Sequence, residues 1–64
     1  MTREEILKKI NLLEEIKIYK HYEYIKAKIE MGEESLPAQV AKQEWLEIIE
    51  ELKYYLDLAT KQKF

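Results

Sequence analysis

The sequence has no cysteine and only one histidine, one glycine and one proline among its 64 residues. The lack of cysteine excludes disulfides and thiolate metal sites, and a lone His21 excludes zinc motifs that need two histidines from one chain. A sheet of several strands needs more turn-forming residues than one glycine and one proline supply. The sequence therefore predicts an all-α fold with no metal site and no cofactor.

Long apolar runs are also missing. No stretch approaches the roughly 20 apolar residues that a membrane span requires, and the N-terminal segment lacks the apolar core of a signal peptide. The formal net charge of −2 is small, so no strong overall field attracts nucleic acid or an acidic surface. We expect a cytoplasmic protein that does not bind membranes.

The sequence has little that could support catalysis. It contains no glycine-rich phosphate-binding loop, and its glutamate clusters are not accompanied by the Glu-x-x-His spacing of di-metal helical bundles. Ser35 precedes an expected helix, where its hydroxyl is used as a cap. We therefore predict that the protein is not an enzyme and has no catalytic or cofactor-binding residues.

The residues that are abundant favour long helices. Ala, Glu, Lys, Leu and Arg make up 35 of the 64 residues. Thr2 and Glu5 have the spacing of a capping box, while Gly32, Ser35 and Pro37 together mark one chain reversal. The sequence predicts a single domain over 1–64, with a helix at about 3–31, a turn at about 32–35 and a helix at about 36–61. Two helices of similar length joined by so short a turn form an antiparallel hairpin.

The apolar residues of the second helix follow one stripe, whereas those of the first helix cover more than one side. A single hairpin gives each helix only one neighbour. We therefore expect association, most simply as a homodimer that forms a four-helix bundle; a hetero-complex or a larger assembly is the alternative. The residues predicted to form the core or the dimer contact are Ile6, Ile10, Leu13, Ile18, Tyr22, Ile25, Ile29, Ala41, Trp45, Ile48, Ile49, Leu52, Tyr55, Leu56 and Ala59.

Further residues bear on association and on the end of the second helix. Asn11 lies on the same side as Leu7 and Ile18, and a polar residue within an apolar seam can fix the register of a helix pair, although a simple exposed position explains it equally well. Lys61 and Lys63 suit the C-terminal end of a helix. The apolar residues outside the main stripe, which a monomer would leave in water, are Leu46, Tyr54, Leu58 and Phe64.

The segment from Ile16 to Ile29 carries four lysines and one glutamate, a local charge of +3, and residues 41–57 carry two lysines and five acidic residues, a local charge of −3. The favoured interpretation is that the two helices pair these charges along their flanks. The alternative is a surface for phosphates and bases, although arginine, the usual residue for such recognition, occurs only at position 3. The candidate partner or nucleic-acid face consists of Lys17, Lys20, His21, Tyr24 and Lys28.

These features favour a small interaction or regulatory protein that acts by protein–protein binding through a self-associating helical hairpin. The partner is another protein, which the sequence does not identify. Small proteins of this kind are often regulators or accessory proteins of bacteria or phages. The alternative hypothesis is an RNA-binding helical bundle that uses the lysine and tyrosine face of the first helix.

Overall fold

The computed structural model describes residues 1–61, which form two packed α-helices joined by a tight loop. Helix α1 spans Arg3–Met31 and helix α2 spans Leu36–Lys61, and no strand occurs within this part of the chain. The Cα atoms extend over 45 × 15 × 12 Å, as expected for a helical hairpin one helix thick. The predicted all-α hairpin is confirmed, while Lys63 and Phe64 lie outside the described residues.

Helix α1 begins where the capping signal predicts. The Oγ1 of Thr2 accepts a hydrogen bond of 3.2 Å from the backbone N–H of Glu5, and the carbonyl of Thr2 accepts one of 3.0 Å from the N–H of Ile6. The first bond satisfies one of the N–H groups that a helix leaves unpaired at its start, and the second is the first hydrogen bond of the helix itself. Glu4 and Glu5 add negative charge in the first turn, which favours the positive end of the helix dipole.

The loop between the helices is fixed by Gly32 and Ser35. Gly32 has φ 91° and ψ 153°, so its φ is positive, although its ψ lies outside the left-handed helical region. The hydroxyl of Ser35 donates a 2.7 Å hydrogen bond to the carbonyl of Gly32 and accepts one of 3.3 Å from the N–H of Ala38. Ser35 is therefore the predicted N-cap of α2, and Pro37 lies in the first helical turn, where its missing N–H costs nothing.

Replacing Gly32 by alanine tests the contribution of this backbone conformation. A Cβ at this position would meet no atom within 4 Å, so the substitution isolates the cost of a positive φ from any steric clash. We expect L-alanine to lower the free energy of unfolding by about 1–2 kcal/mol, measured by urea denaturation. A chemically synthesised chain with D-alanine at position 32 is the control, because D-residues favour positive φ. Equal losses with both alanines would contradict this explanation.

The apolar core is small and lies toward the open end of the hairpin. Ile6, Ile10, Leu13 and Leu52 form one buried cluster, and of these four only Ile6 is completely inaccessible. Partly buried side chains pack around this cluster: Ile48, Tyr55, Leu58 and Ala59. Nearer the loop the buried residues are Tyr24, Ala38 and Ala41. Much of the contact between the helices is thus made by small or half-buried side chains.

The structure divides the predicted core residues into two groups. Those buried in the hairpin or partly buried are Ile6, Ile10, Leu13, Ala41, Trp45, Ile48, Ile49, Leu52, Tyr55 and Ala59. Those exposed in the hairpin are Ile18, Tyr22, Ile25, Ile29 and Leu56. The four exposed residues of α1 lie outside the hairpin core because α1 packs on α2 through the neighbouring side, which carries Leu13 and Tyr24. Contact of these four residues with a second hairpin remains a prediction.

Candidate functional site

A groove of about 400 Å³ opens on one face of the hairpin, between α1 and α2. The side chains on its walls are mainly apolar and aromatic, with a lysine at the edge of each helix. The groove is lined by Lys17, Ile18, His21, Trp45, Ile49, Leu52, Lys53 and Leu56. An apolar cleft of this volume, open to solvent and edged by cations, is of the size and composition that binding sites have.

Stacked aromatic rings separate the groove from the loop end of the hairpin. The ring of Trp45 lies 4.5 Å from the ring of His21 and 5.9 Å from that of Tyr24, centroid to centroid, with interplanar angles of 24° and 15°. Aromatic rings at these separations attract one another beyond the burial of their area. Trp45 therefore joins α2 to α1 through two rings, and it leaves part of its surface as a wall of the groove.

The candidate lysine and tyrosine face lies along the contact between the helices. Tyr24 is buried against Trp45, and His21 is stacked on the same indole. Lys17 is half-buried at the edge of the groove. The Nζ of Lys28 lies 6.0 Å from the centre of the Tyr24 ring and 4.0 Å from a carboxylate oxygen of Glu33. Most of these side chains therefore already contact other residues of the same hairpin.

Lys20 makes the clearest of the predicted ion pairs between the helices. Its Nζ lies 3.2 Å from Oε2 of Glu44 on α2. This hydrogen bond and the negative charge of Glu44 raise the pKa of Lys20 above its ordinary value. The pair is exposed, so it orients the helices more than it stabilises them. It is an example of the predicted pairing between the basic part of α1 and the acidic part of α2.

One component of the groove is not predicted from the sequence. Lys53 was not assigned to any site, although it lies between Ile49 and Leu56 at a spacing that places all three on one side of α2. Trp45, predicted as a core or dimer-contact residue, is half-buried and lines the groove. The spacing could have indicated Lys53, but the groove itself depends on which side of α1 faces α2.

Two kinds of feature are absent within residues 1–61. No group of three or more histidine, cysteine or acidic side chains in this part of the chain is placed to hold a metal ion. Neither helix is apolar over a length sufficient to cross a membrane. No family model, curated protein or solved structure matches the chain. The groove and the exposed apolar residues around it are therefore the basis for a functional proposal.

Proposed function

We propose that this chain is a small non-enzymatic interaction protein that acts by protein–protein binding, and that its hairpin first associates with a second copy to form a four-helix bundle. The observation that carries this proposal is the exposed apolar side of α1 beside the groove. Ile18 is 69% exposed and Ile29 is 78% exposed, and Tyr22 and Ile25 lie exposed between them. Contiguous apolar surface of this kind is typical of protein contacts.

The surface area of the hairpin supports association. A compact monomeric protein of 7.8 kDa exposes about 4,400 Å² according to the scaling of surface with mass, whereas the hairpin exposes 5025 Å². The excess, on the order of 600 Å², approaches the ~800 Å² that one partner contributes to a standard interface. A face of 45 × 15 Å is large enough to provide such a contact.

The polar contacts favour a protein partner over nucleic acid. Tyr24 is buried and Lys20 is paired with Glu44, so neither side chain is presented as phosphate contact or stacking platform. Other apolar side chains stay available for a further protein once the groove face is covered. Leu12 and Tyr19 are exposed on α1, and Tyr54 is exposed on α2. Exposed tyrosines are frequent anchors of protein interfaces.

Replacement of Ile18 by glutamate tests self-association. We expect the natural chain to sediment at twice its monomer mass of 7.8 kDa, and I18E to raise the dissociation constant at least about tenfold, because a carboxylate buried in an apolar contact loses its hydration. Sedimentation equilibrium over a range of concentrations measures both values. The matched control is Y19E, which adds the same charge at the next residue, 62% exposed on another side of α1.

Three outcomes of this experiment are informative. Dissociation by I18E but not by Y19E supports the proposal. Equal effects of the two variants would mean that added charge, and not the groove face, controls association. A natural chain that sediments as a folded monomer at all concentrations would overturn the self-association part of the proposal.

A further inference from the structure

The exposed side of α1 has a spacing that is symmetrical about Ile18. Seven residues, with Ile18 in the middle, lie along one line of the helix. Along the chain the intervals between them are 4, 3 and 4 residues up to Ile18, and again 4, 3 and 4 residues after it. We call them the outer stripe: Leu7, Asn11, Glu14, Ile18, Tyr22, Ile25 and Ile29. All seven are exposed in the hairpin. Ile18 is the midpoint of the outer stripe, and the stripe reads with the same spacing in both directions.

We propose, on the basis of the self-association above, that two hairpins pair with their loops at opposite ends and with the two α1 helices antiparallel about Ile18. A two-fold axis perpendicular to α1 at Ile18 pairs the residues of the two α1 helices. A residue that lies a given number of positions before Ile18 in one copy is level with the residue the same number of positions after Ile18 in the second copy. Ile18 then meets Ile18 of the second copy on the axis. Leu7 meets Ile29 of the second copy, and Ile29 meets its Leu7.

The remaining pairs of the outer stripe are chemically compatible with this register. Glu14 falls level with Tyr22 of the second copy, so the phenol hydroxyl can donate a hydrogen bond to the carboxylate. Asn11 falls level with Ile25 of the second copy. Asn11 and Glu14 are thus the polar residues of a largely apolar seam, and polar residues in such a seam lower the stability of a helix pair but fix its register. Apolar pairs therefore occupy the centre and both ends of the stripe.

The position of the groove agrees with the same axis. Ile18 lies near the middle of α1 and Ile49 lies near the middle of α2, and both line the groove. A second copy centred on Ile18 therefore covers the groove with its own Ile18 and Ile49. The stems of Lys17 and Lys53 lie along the margin of the contact while their amines remain in water. The contact then extends equally toward both ends of the hairpin.

The opposite orientation, with both loops at the same end, gives poorer contacts. It would place α1 of one copy against α2 of the second copy. The half of α1 nearest the loop would then contact the first half of α2 of the second copy. The stack of His21 on Trp45 shows that these two residues lie at the same height along the antiparallel helices. Ile25, four residues after His21, therefore lies at about the height of residues 41–42. Lys42 lies seven residues before Ile49 and thus on the same side of α2. Ile25 would therefore meet a lysine of the second copy.

Single cysteines introduced into this cysteine-free chain test the arrangement. We expect I18C to be joined to itself by a short bis-maleimide about a hundredfold faster than the control Y19C at micromolar protein, because groups held together in a dimer react at effective concentrations on the order of mM. L7C alone and I29C alone stay slow, since in each homodimer the two thiols lie 22 residues apart along the helix, roughly 33 Å. An equilibrated mixture of L7C and I29C crosslinks fast.

The same samples are analysed by sedimentation and circular dichroism before crosslinking. Helical dimers in which I18C and the mixture crosslink fast support the arrangement. Dimers in which the mixture crosslinks no faster than L7C alone would contradict the antiparallel pairing of the two α1 helices about Ile18. Dimers in which neither I18C nor the mixture crosslinks faster than Y19C would place the contact elsewhere, while self-association itself would stand. Monomers of the natural chain would overturn both proposals.

Discussion

Replacing Ile6 by alanine is expected to lower the free energy of unfolding by about 2–4 kcal/mol, one of the two largest effects that a single substitution should have on this hairpin. Ile6 is the largest side chain with no accessible surface within the described part of the chain, and it belongs to the cluster with Ile10, Leu13 and Leu52. Alanine removes the transfer free energy of the lost methyl groups and leaves a cavity that neighbouring side chains fill only in part.

The loss should be a large share of the total stability, because a chain this short has a marginal core. Urea denaturation followed by circular dichroism, at one fixed protein concentration, measures it. Leu12→Ala is the matched control, since Leu12 lies on the same helix but is exposed. We expect L12A to change the free energy of unfolding by less than about 0.5 kcal/mol. Similar losses in the two variants would mean that Ile6 does not occupy the core of the hairpin.

Replacing Trp45 by alanine is expected to lower the free energy of unfolding by about 2–3 kcal/mol. Replacing a fully buried tryptophan by alanine costs about 3–5 kcal/mol of stability. The expected cost at Trp45 is smaller because part of its ring lines the groove. The substitution also removes the stacking of Trp45 on His21 and Tyr24, where each aromatic pair contributes about 0.5–1.5 kcal/mol. Tyr24 would lose part of the cover that keeps it buried.

Circular dichroism in urea measures this stability, since the variant has no tryptophan fluorescence. Proton chemical shifts of the His21 ring provide a second measurement, because an indole stacked at 4.5 Å shifts them. The control is Tyr54→Ala, which removes an aromatic ring that is 59% exposed. Among the ring pairs of residues 1–61, Tyr54 takes part in one, an edge-on contact with its neighbour Tyr55. A W45A variant as stable as Y54A, with unchanged His21 shifts, would contradict the stacked arrangement.

The hairpin could be predicted from the sequence because its boundary signals are local. Thr2, Gly32 and Ser35 each act through a backbone conformation or a hydrogen bond to a residue three or four positions away. Such interactions depend little on the rest of the fold. The orientation of α2 was predicted for a similar reason, since Ala41 and Leu52 belong to its single apolar stripe and are both buried.

The orientation of α1 could not be predicted in the same way. In its second half, apolar residues such as Ile18 and Ile25 lie on one side, while Tyr24 and the long stem of Lys20 lie on another. Periodicity alone does not decide which side packs on α2, because aromatic rings and lysine stems can also cover a neighbouring helix. In the structure the large ring of Trp45 packs against His21 and Tyr24, so this side of α1 faces α2.

The groove was missed as a consequence of that orientation. Ile49 and Leu56 were predicted as core or dimer residues, but Lys53 between them was not assigned. A groove between two helices exists only once both helices are oriented, so neither helix alone predicts it. Only the excess of apolar residues on α1 was visible in the sequence, and it indicated that a second surface exists without indicating where that surface lies.

The position of the core has a consequence for how the hairpin folds. The loop from Gly32 to Ser35 brings together residues that are close in the chain, whereas the contacts of Ile6 and Ile10 with Leu52 join residues more than forty positions apart. Folding that starts at the loop therefore forms the core cluster last. Contacts that form after the transition state control the rate of unfolding more than the rate of folding. For folding that starts at the loop, the lifetime of the folded hairpin is therefore controlled by the core cluster near the beginning of α1.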